Sequence, residues 1–455
     1  SSFDWAEFVE GVSLVDQTLA EGSAYNEMSF ATRDRYRHAI EDLSKGSETS
    51  ELEVARATLS LSSSQLADRR ERDPGYFLLG EGRRQLEAEV GFRPRFGLVV
   101  SRLVSKHAQW VYVGAIGLVT GLALTVPLLT IDRAWPWRWL MGFLALIPAS
   151  DVAVTLVNRA VTAVIHPKEL PALALRLGPT EEFRTVVAIP AMLSRAAQVE
   201  ELVERLEVHY LAHPEGDFYF ALLTDWRDAD GPDEPDDADL LAIATGAVDR
   251  LNKRHGPGPG GTERFLLLHR RRVFNRGEGR YMGWERKRGK LHELNRLLRG
   301  ASDTSFLSTD TQIPDRVRYV IALDEDSRLP PGAATRLVAT MAHPLNRARV
   351  NEPLGRVVEG YGVLQPRVTA FLGSGGTSFF QRIFFPPAGI DPYAAAVSDV
   401  YQDLFGEGSY AGKGIYEIDA FEAALENRIP ENTLLSHDLF EGSFARAGLV
   451  SNIEV

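Results

Sequence analysis

Apolar and polar residues alternate in three different rhythms along this chain. Up to about residue 106 the rhythm is helical. In FDWAEFVEGVSLVDQTL, Trp5, Phe8, Val9 and Val12 recur at helical intervals, and later segments repeat the pattern with Arg and Glu on the outer faces. Residues 1–106 therefore read as a soluble α-helical region that packs or docks, with nothing at catalytic spacing. The rhythm then stops. AQWVYVGAIGLVTGLALTVPLLTI, residues 108–131, holds no Asp, Glu, Lys or Arg, and about 20 such residues suffice to cross a bilayer core as a helix. A short loop, DRAWPWRW, leads to a second apolar run from Leu140 to Ile165. Trp135, Trp137 and Trp139 cluster where an interfacial aromatic belt would lie. Residues 107–166 thus predict two transmembrane helices joined by a short loop, in preference to a pair of buried core helices. Arg102, Lys106, Arg159 and Lys168 place the flanks in the cytoplasm, against a weaker vote from Arg133 and Arg138 in the loop. Asp151 in the second span invites a functional reading, but Pro148 and Ser150 mark a bend where the acid can meet water or another helix.

The third rhythm begins after a Pro-marked stretch, residues 167–183, expected to run along the membrane surface. From Arg184 short apolar runs (TVVAIP, DFYFALLTDW, RFLLLHR, RYVIALDED, VVEGYGVLQPRV) alternate with helix-like stretches near 195–211, 237–254, 285–299 and 332–343. That alternation implies βαβ units and a mostly parallel, Rossmann-like α/β sheet over residues 184–455. Ligands bind at the carboxyl ends of such strands. Pro190, Asp225, His269 and Asp324 each close an apolar run, and so are expected around one crevice.

Composition narrows the class. The chain has 455 residues, enough for two or three domains, and a net charge of -12, which argues against bulk nucleic-acid binding. It has no cysteine, which removes disulfides, thiolate zinc sites and cysteine nucleophiles.

Candidate chemistry gathers at the strand ends. Asp324 and Asp326 flank Glu325 where RYVIALDED stops, and two carboxylates one residue apart can hold magnesium or manganese on a substrate diphosphate; acids also simply mark the polar end of a strand. Asp225 in ALLTDW could accept from a base N–H or shape a turn. Lys287, Arg288 and Lys290 sit near the start of an amphipathic helix, where the dipole disfavours cations unless an anion such as a diphosphate compensates; a solvated basic turn is the equal alternative. LFGEGSYAGKGIYEIDAFEAAL reads as a Gly-rich loop running into a helix, its Gly406, Gly408, Gly412 and Gly414 permitting close approach to a ligand or merely making turns. His437, Asp438 and Glu441 fall at a helix start, with Asp438 either a general base or a cap.

In order, VVAIPAML, LLTDW, KLHELN, DED, LQPR, GKG and SHD resemble the motifs of processive, inverting glycosyltransferases of the GT-A fold. Lys290, Leu294 and Asn295 match that superfamily's KxGxLN-like helix, with His292 where glycine is usual, and the acid-plus-base pair reads His437-Asp438 in place of Glu-Asp. A closer resemblance is to the cyclic β-1,2-glucan synthases, carried by FATRDRYRHAIEDLS, MGWERKRGKLHELNRLLRG, MAHPLNR, VEGYGVLQPRV, DPYAAAVSDVYQDLFGEGSYAGKGIYEIDAFE and PENTLLSHDLFEG, and covering nearly the whole chain. It implies a transferase facing the cytoplasm from an inner, multi-pass membrane segment. Its reaction would move glucose from UDP-glucose to the 2-hydroxyl of a growing glucan that begins on the protein itself.

By the same resemblance Asp438 is the base. Asp324 and Asp326 hold Mg2+ or Mn2+. Pro190, Asp225, Lys290, Asn295 and Asp324 line the nucleotide-sugar site, with Asp225 on uracil and Lys290 by the leaving group. Gln365, Arg367, Gly408, Gly412 and Lys413 line the acceptor side. The expected QxxRW-like segment, further membrane helices and a phosphorylase-like module would lie in a longer chain. Open alternatives are a different nucleotide sugar, a lipid acceptor, or a membrane nucleotide-sugar sensor that binds without turnover.

Overall fold

A computed structural model describes residues 10–63, 68–130, 137–165, 169–307, 311–368, 400–434 and 437–455. Trp5 and Phe8, the loop residues 131–136 and the segment 369–399 lie outside these.

The N-terminal region is helical: α1 Leu14–Gly22, α2 Phe30–Lys45, α3 Glu51–Ser62, α4 Pro74–Leu78, α5 Arg83–Glu89 and α6 Phe96–Lys106. Local chemistry sets the boundaries. Ser29 caps α2 through Thr32 N, and Ser50 and Glu53 form a reciprocal capping box on α3. Leu19, Tyr36, Ile40, Leu43, Val54, Phe77 and Leu86 fill the core between the first five helices.

Two apolar helices follow, α7 Ala108–Thr130 and α8 Arg138–Val164. Both are long and apolar enough to cross a membrane, and only 11% of each apolar window is buried. Among the described residues neither helix is a buried core helix. Tyr112 donates to Asn158 Oδ1 at 2.7 Å between them, and Asp151 is exposed on α8.

Residues 169–183 depart from expectation. Instead of lying free on a membrane surface, Ala172 exchanges hydrogen bonds with Thr32 Oγ1 (3.1 and 2.8 Å), Leu173 N donates to Ala339 O at 3.0 Å, and Leu173 is buried in the α/β core. An apolar run of Leu and Ala between prolines gains more from that seam than from water.

Seven strands form one sheet in the order β11-β9-β10-β6-β1-β2-β3. They are β1 Thr185–Leu193, β2 Phe218–Trp226, β3 Phe265–Arg270, β6 Tyr319–Ala322, β9 Val363–Arg367, β10 Gly414–Glu417 and β11 Ala447–Glu454; β4 Val273–Asn275 pairs with β5 Arg280–Met282, and β7 Arg349–Asn351 with β8 Arg356–Glu359. Strands β6, β1, β2 and β3 are mutually parallel, β10 runs antiparallel to both neighbours, and β11 is parallel to β9. The central strands read as unbroken apolar runs because both faces are covered: every residue of β2 is buried. Val187, Ile189 and Phe220 face α9 Ala196–Ala212, α10 Asp237–His255 and α12 Ala333–Ala342. Val186, Ala188 and Tyr219 face α11 Arg286–Leu298, α14 Ile418–Leu425 and α15 Asp438–Ala445. The chain therefore contains an α/β domain with a mixed, mostly parallel sheet.

Three expectations are corrected. Pro190 does not close its run, because β1 continues to Leu193 and Pro190 pairs with Leu223. Its missing N–H is harmless, since β6 has left that side of the ladder after Ala188↔Ala322. VVEGYGVLQPRV is two strands, β8 and β9, split at Gly360, where a Cβ would lie 1.9 Å from Arg347 O. The Gly-rich loop ends in a strand, β10, before its helix begins.

Candidate active site

Strand β6 is wholly buried, and the chain leaves the sheet through Leu323 into Asp324. The middle acid turns away: Glu325 accepts from Gln198 Nε2 at 3.0 Å and its carbonyl from Arg205 at 2.6 Å, tying the turn to α9. Asp326 is exposed. Asp324 is half-buried between two lysines, with Lys287 bonded to Oδ1 and Lys413 Nζ 3.1 Å from Oδ2. Partial burial pushes its carboxyl up, but Lys287 and Lys413 together hold it below the ordinary carboxylate value.

Lys287 also donates to Gly412 O at 2.7 Å. Gly412 has φ +75, and a Cβ there would stand 2.8 Å from both carboxylate oxygens of Asp438. One backbone turn thus separates the strand-end acid from the helix-start acid. Gln365, buried in β9, fixes that turn by accepting from Ala411 N at 2.9 Å, and Gly408 N donates to Ala447 O at 2.7 Å. Asp438 opens α15 and is partly exposed; His437 Nδ1 lies 3.5 Å from it and 3.0 Å from Glu441. The ligand atoms of His437, Asp438 and Glu441 fall within 4.8 Å of one another.

A second charged cluster lies beneath. Asp225, 5% exposed, receives Arg270 Nε at 2.7 Å and Nη2 at 2.9 Å, with Lys290 Nζ 3.0 Å from Oδ2. Burial pushes Asp225 up, and Lys290 and Arg270 outweigh it, so the carboxyl lies below its usual value. Burial also pulls Lys290 down, against the charge of Asp225. Lys290 donates to Ala191 O at 2.7 Å, one residue beyond Pro190. Arg270, fully buried, further bonds Glu293 at 2.9 Å, Trp284 O at 3.0 Å and Arg286 O at 3.1 Å. Glu285 and Arg286 both have positive φ (50 and 47), a conformation that costs roughly 1–2 kcal/mol per residue outside glycine. Arg270 holds this strained turn, from which Lys287 reaches Asp324. The cations at the start of α11 are compensated by carboxylates of the chain, Asp324 and Asp225.

The structure therefore brings Asp324, Lys413, Gly412 and Asp438 together, with Gln365 and Gly408 as tethers of the same loop. Lys413, expected on the acceptor side, sits on the strand-end acid. Three expected residues stand elsewhere. Asn295 is buried on α11, donating to Glu422 at 2.6 Å and accepting from Tyr416 at 2.9 Å. Arg367 pairs with Glu454 at the sheet edge, 2.7 Å away. His269 is fully buried beside Thr224 Oγ1 (2.7 Å) and against Trp226, and burial pulls its imidazole down to about 4. Arg270 and Glu293 were not legible as site-supporting residues, since nothing in linear spacing joins 225, 270 and 293. An arginine ending a buried apolar run is the one available signal, because such a charge needs a partner.

Hard cations take oxygen donors, often one or two carboxylates with phosphate oxygens. Asp324 and Asp326 supply oxygens of that kind; in this structure Lys287 and Lys413 take both oxygens of Asp324, and Asp326 is exposed.

No family model matches the chain. It is 45% identical over 462 aligned positions, 99% of its own length, to the cyclic beta-(1,2)-glucan synthase NdvB of Rhizobium meliloti (strain 1021), and spans 16% of the length of that protein. Nearly the whole chain thus corresponds to one segment of a cyclic β-(1,2)-glucan synthase.

Proposed function

We propose that the α/β domain is an inverting, GT-A-type glucosyltransferase that moves glucose from UDP-glucose to the 2-hydroxyl of a growing β-1,2-glucan, on the cytoplasmic face of an inner membrane. The observation that carries this reading is the juxtaposition of Asp324 and Asp438 across Gly412. A single displacement needs a base on one side of the anomeric carbon and charge compensation for the departing diphosphate on the other. Asp438 takes the proton from the attacking hydroxyl. Lys287 and Lys413, held on Asp324 without a donor, move onto phosphate oxygens when the diphosphate arrives. Magnesium or manganese held by Asp324 and Asp326 would neutralise further negative charge on the leaving group. Asp225 contacts the uracil while Arg270 and Lys290 fix the orientation of its carboxylate.

The test is incorporation of labelled glucose from UDP-glucose by the full-length protein in detergent, with manganese or with chelator. Asp438→Asn is expected to lower incorporation by roughly 10²-fold or more while UDP still binds. Unchanged incorporation in Asp438→Asn sinks the assignment of the base. Absent incorporation by folded full-length protein sinks the transferase reading.

A further inference from the structure

Helix α6, Phe96–Lys106, plays no part in the reading above. Phe96, Val99, Leu103 and Val104 recur at helical spacing along one stripe, and they are 84, 48, 60 and 36% exposed. None of the helix's described side chains is buried. Off that stripe Leu98 is 37% exposed, and Arg102 donates to the buried Glu87 of α5 at 2.8 Å. The helix contains no acid, follows Arg93 and Arg95, and ends at Lys106. His107 breaks it, and α7 starts at the next residue, Ala108. The helix therefore leads directly into the exposed apolar α7, where Leu118 and Leu122 are 66 and 61% exposed.

We propose that α6 lies in the membrane–water interface, its apolar stripe sunk at the boundary of headgroups and acyl chains of an anionic lipid surface. An amphipathic helix with basic flanks and an uncovered apolar face binds such a boundary, about 5–10 Å deep. Arg95 and Lys106 meet the anionic headgroups. The Arg102–Glu87 pair then seats the helical region on the membrane. The inference rests on the reading of α7 as a span, and goes beyond it, since a span requires nothing of the residues before it.

The chain has no cysteine, so single labels report without background. Leu103→Cys, Ser101→Cys and Leu118→Cys, each carrying a polarity-sensitive fluorophore, are placed in nanodiscs of mixed phosphatidylcholine and phosphatidylglycerol brominated high or low on the acyl chain. The expected result is strongest quenching of Leu103→Cys by high bromines, strongest quenching of Leu118→Cys by low bromines, and little quenching of Ser101→Cys. Quenching of Leu103→Cys no greater than that of Ser101→Cys, with Leu118→Cys quenched, overturns the interfacial helix and leaves the span standing. An unquenched Leu118→Cys overturns the span, and the proposal with it. In pure phosphatidylcholine the Leu103→Cys signal should weaken; an unchanged signal overturns the anionic preference.

Discussion

At the scale of single residues, two buried carboxylates show how environment decides their contribution. Asp225 is surrounded by cations, and removing Arg270 leaves Asp225 with Lys290, and the buried Glu293 with only the N–H and hydroxyl of Ser305. Breaking such a pair typically costs 3–5 kcal/mol, so Arg270→Met is expected to lower the thermal midpoint sharply, and Arg270→Lys less so. A midpoint in Arg270→Met equal to that of the parent would show that the cluster contributes nothing net. The His343 ring, 4.0 Å from Asp73, is kept neutral by its own burial; burial pushes the Asp73 carboxyl up to about 6, against bonds from Tyr36 and Gly75. The folded state then holds that proton to about pH 6, the unfolded state only to about 3.9. Between those values the native form binds more protons, so stability falls as pH rises through the window, by roughly 3 kcal/mol in all. Asp73→Asn, which keeps the acceptor oxygen, should flatten that part of the pH–stability curve; an unaltered slope between pH 4 and 6 rejects the assignment. Of these residues, sequence alone exposed Asp324, Asp438 and the basic turn at Lys287. It did not expose Arg270 or Glu293, whose roles exist only once β2, β3 and α11 are side by side. Asn295 illustrates the converse, a motif position legible in the sequence whose side chain serves packing against Tyr416 and Glu422.

Among elements, legibility followed periodicity. The stretches read as helices near 195–211, 237–254, 285–299 and 332–343 lie within two residues of α9, α10, α11 and α12, because each carries a buried stripe against a sheet face. Short strands bounded by glycine were harder. β8, β9 and β10 are 4, 5 and 4 residues long, too short for alternation to separate them from loop. The loop ahead of β10 is where an element-scale test belongs. Gly412→Ala puts a methyl group 2.8 Å from the Asp438 oxygens at φ +75, so the loop or the carboxylate has to shift. The backbone strain is about 1–2 kcal/mol, which the fold can absorb, whereas a 1 Å misplacement of reacting groups can cost about 10²-fold in rate. Glucose transfer by the full-length protein is therefore expected to fall far more than its thermal midpoint. Equal activity in parent and variant contradicts a close approach of loop and base.

For the molecule as a whole, the decisive feature is that helical region and α/β domain share a seam that the sequence pattern did not reveal. Helical periodicity predicts that residues 1–106 have a buried stripe, but not what else they touch, and a Pro-rich stretch without period reads as a tether. In the structure that stretch is the joint. Thr32, buried on α2, both donates to and accepts from the Ala172 backbone, while Tyr36 bonds Asp73 at 2.7 Å and lies 3.4 Å from His343 of the α/β domain. Burial pulls the His343 imidazole down to about 3, so it stays neutral in the seam. Thr32→Val preserves volume and removes the hydroxyl, leaving the N–H of Ala172 without that partner, while its C=O still accepts from Ser29 N at 2.9 Å. An unsatisfied group of this kind costs about 1–3 kcal/mol. If the two parts unfold as one because this seam holds them, Thr32→Val should lower the thermal midpoint and open residues 169–183 to protease before the α/β core is cut. If the seam is incidental, cleavage in the variant will follow the same order and rate as in the parent. The distinction bears on function, because α13, Val400–Phe405, meets the apolar hairpin through the Phe405–Tyr112 ring contact and starts the chain that runs on to Gly412. A helical region locked to the α/β domain fixes the height of Asp324 and Asp438 above the hairpin; one that swings free does not.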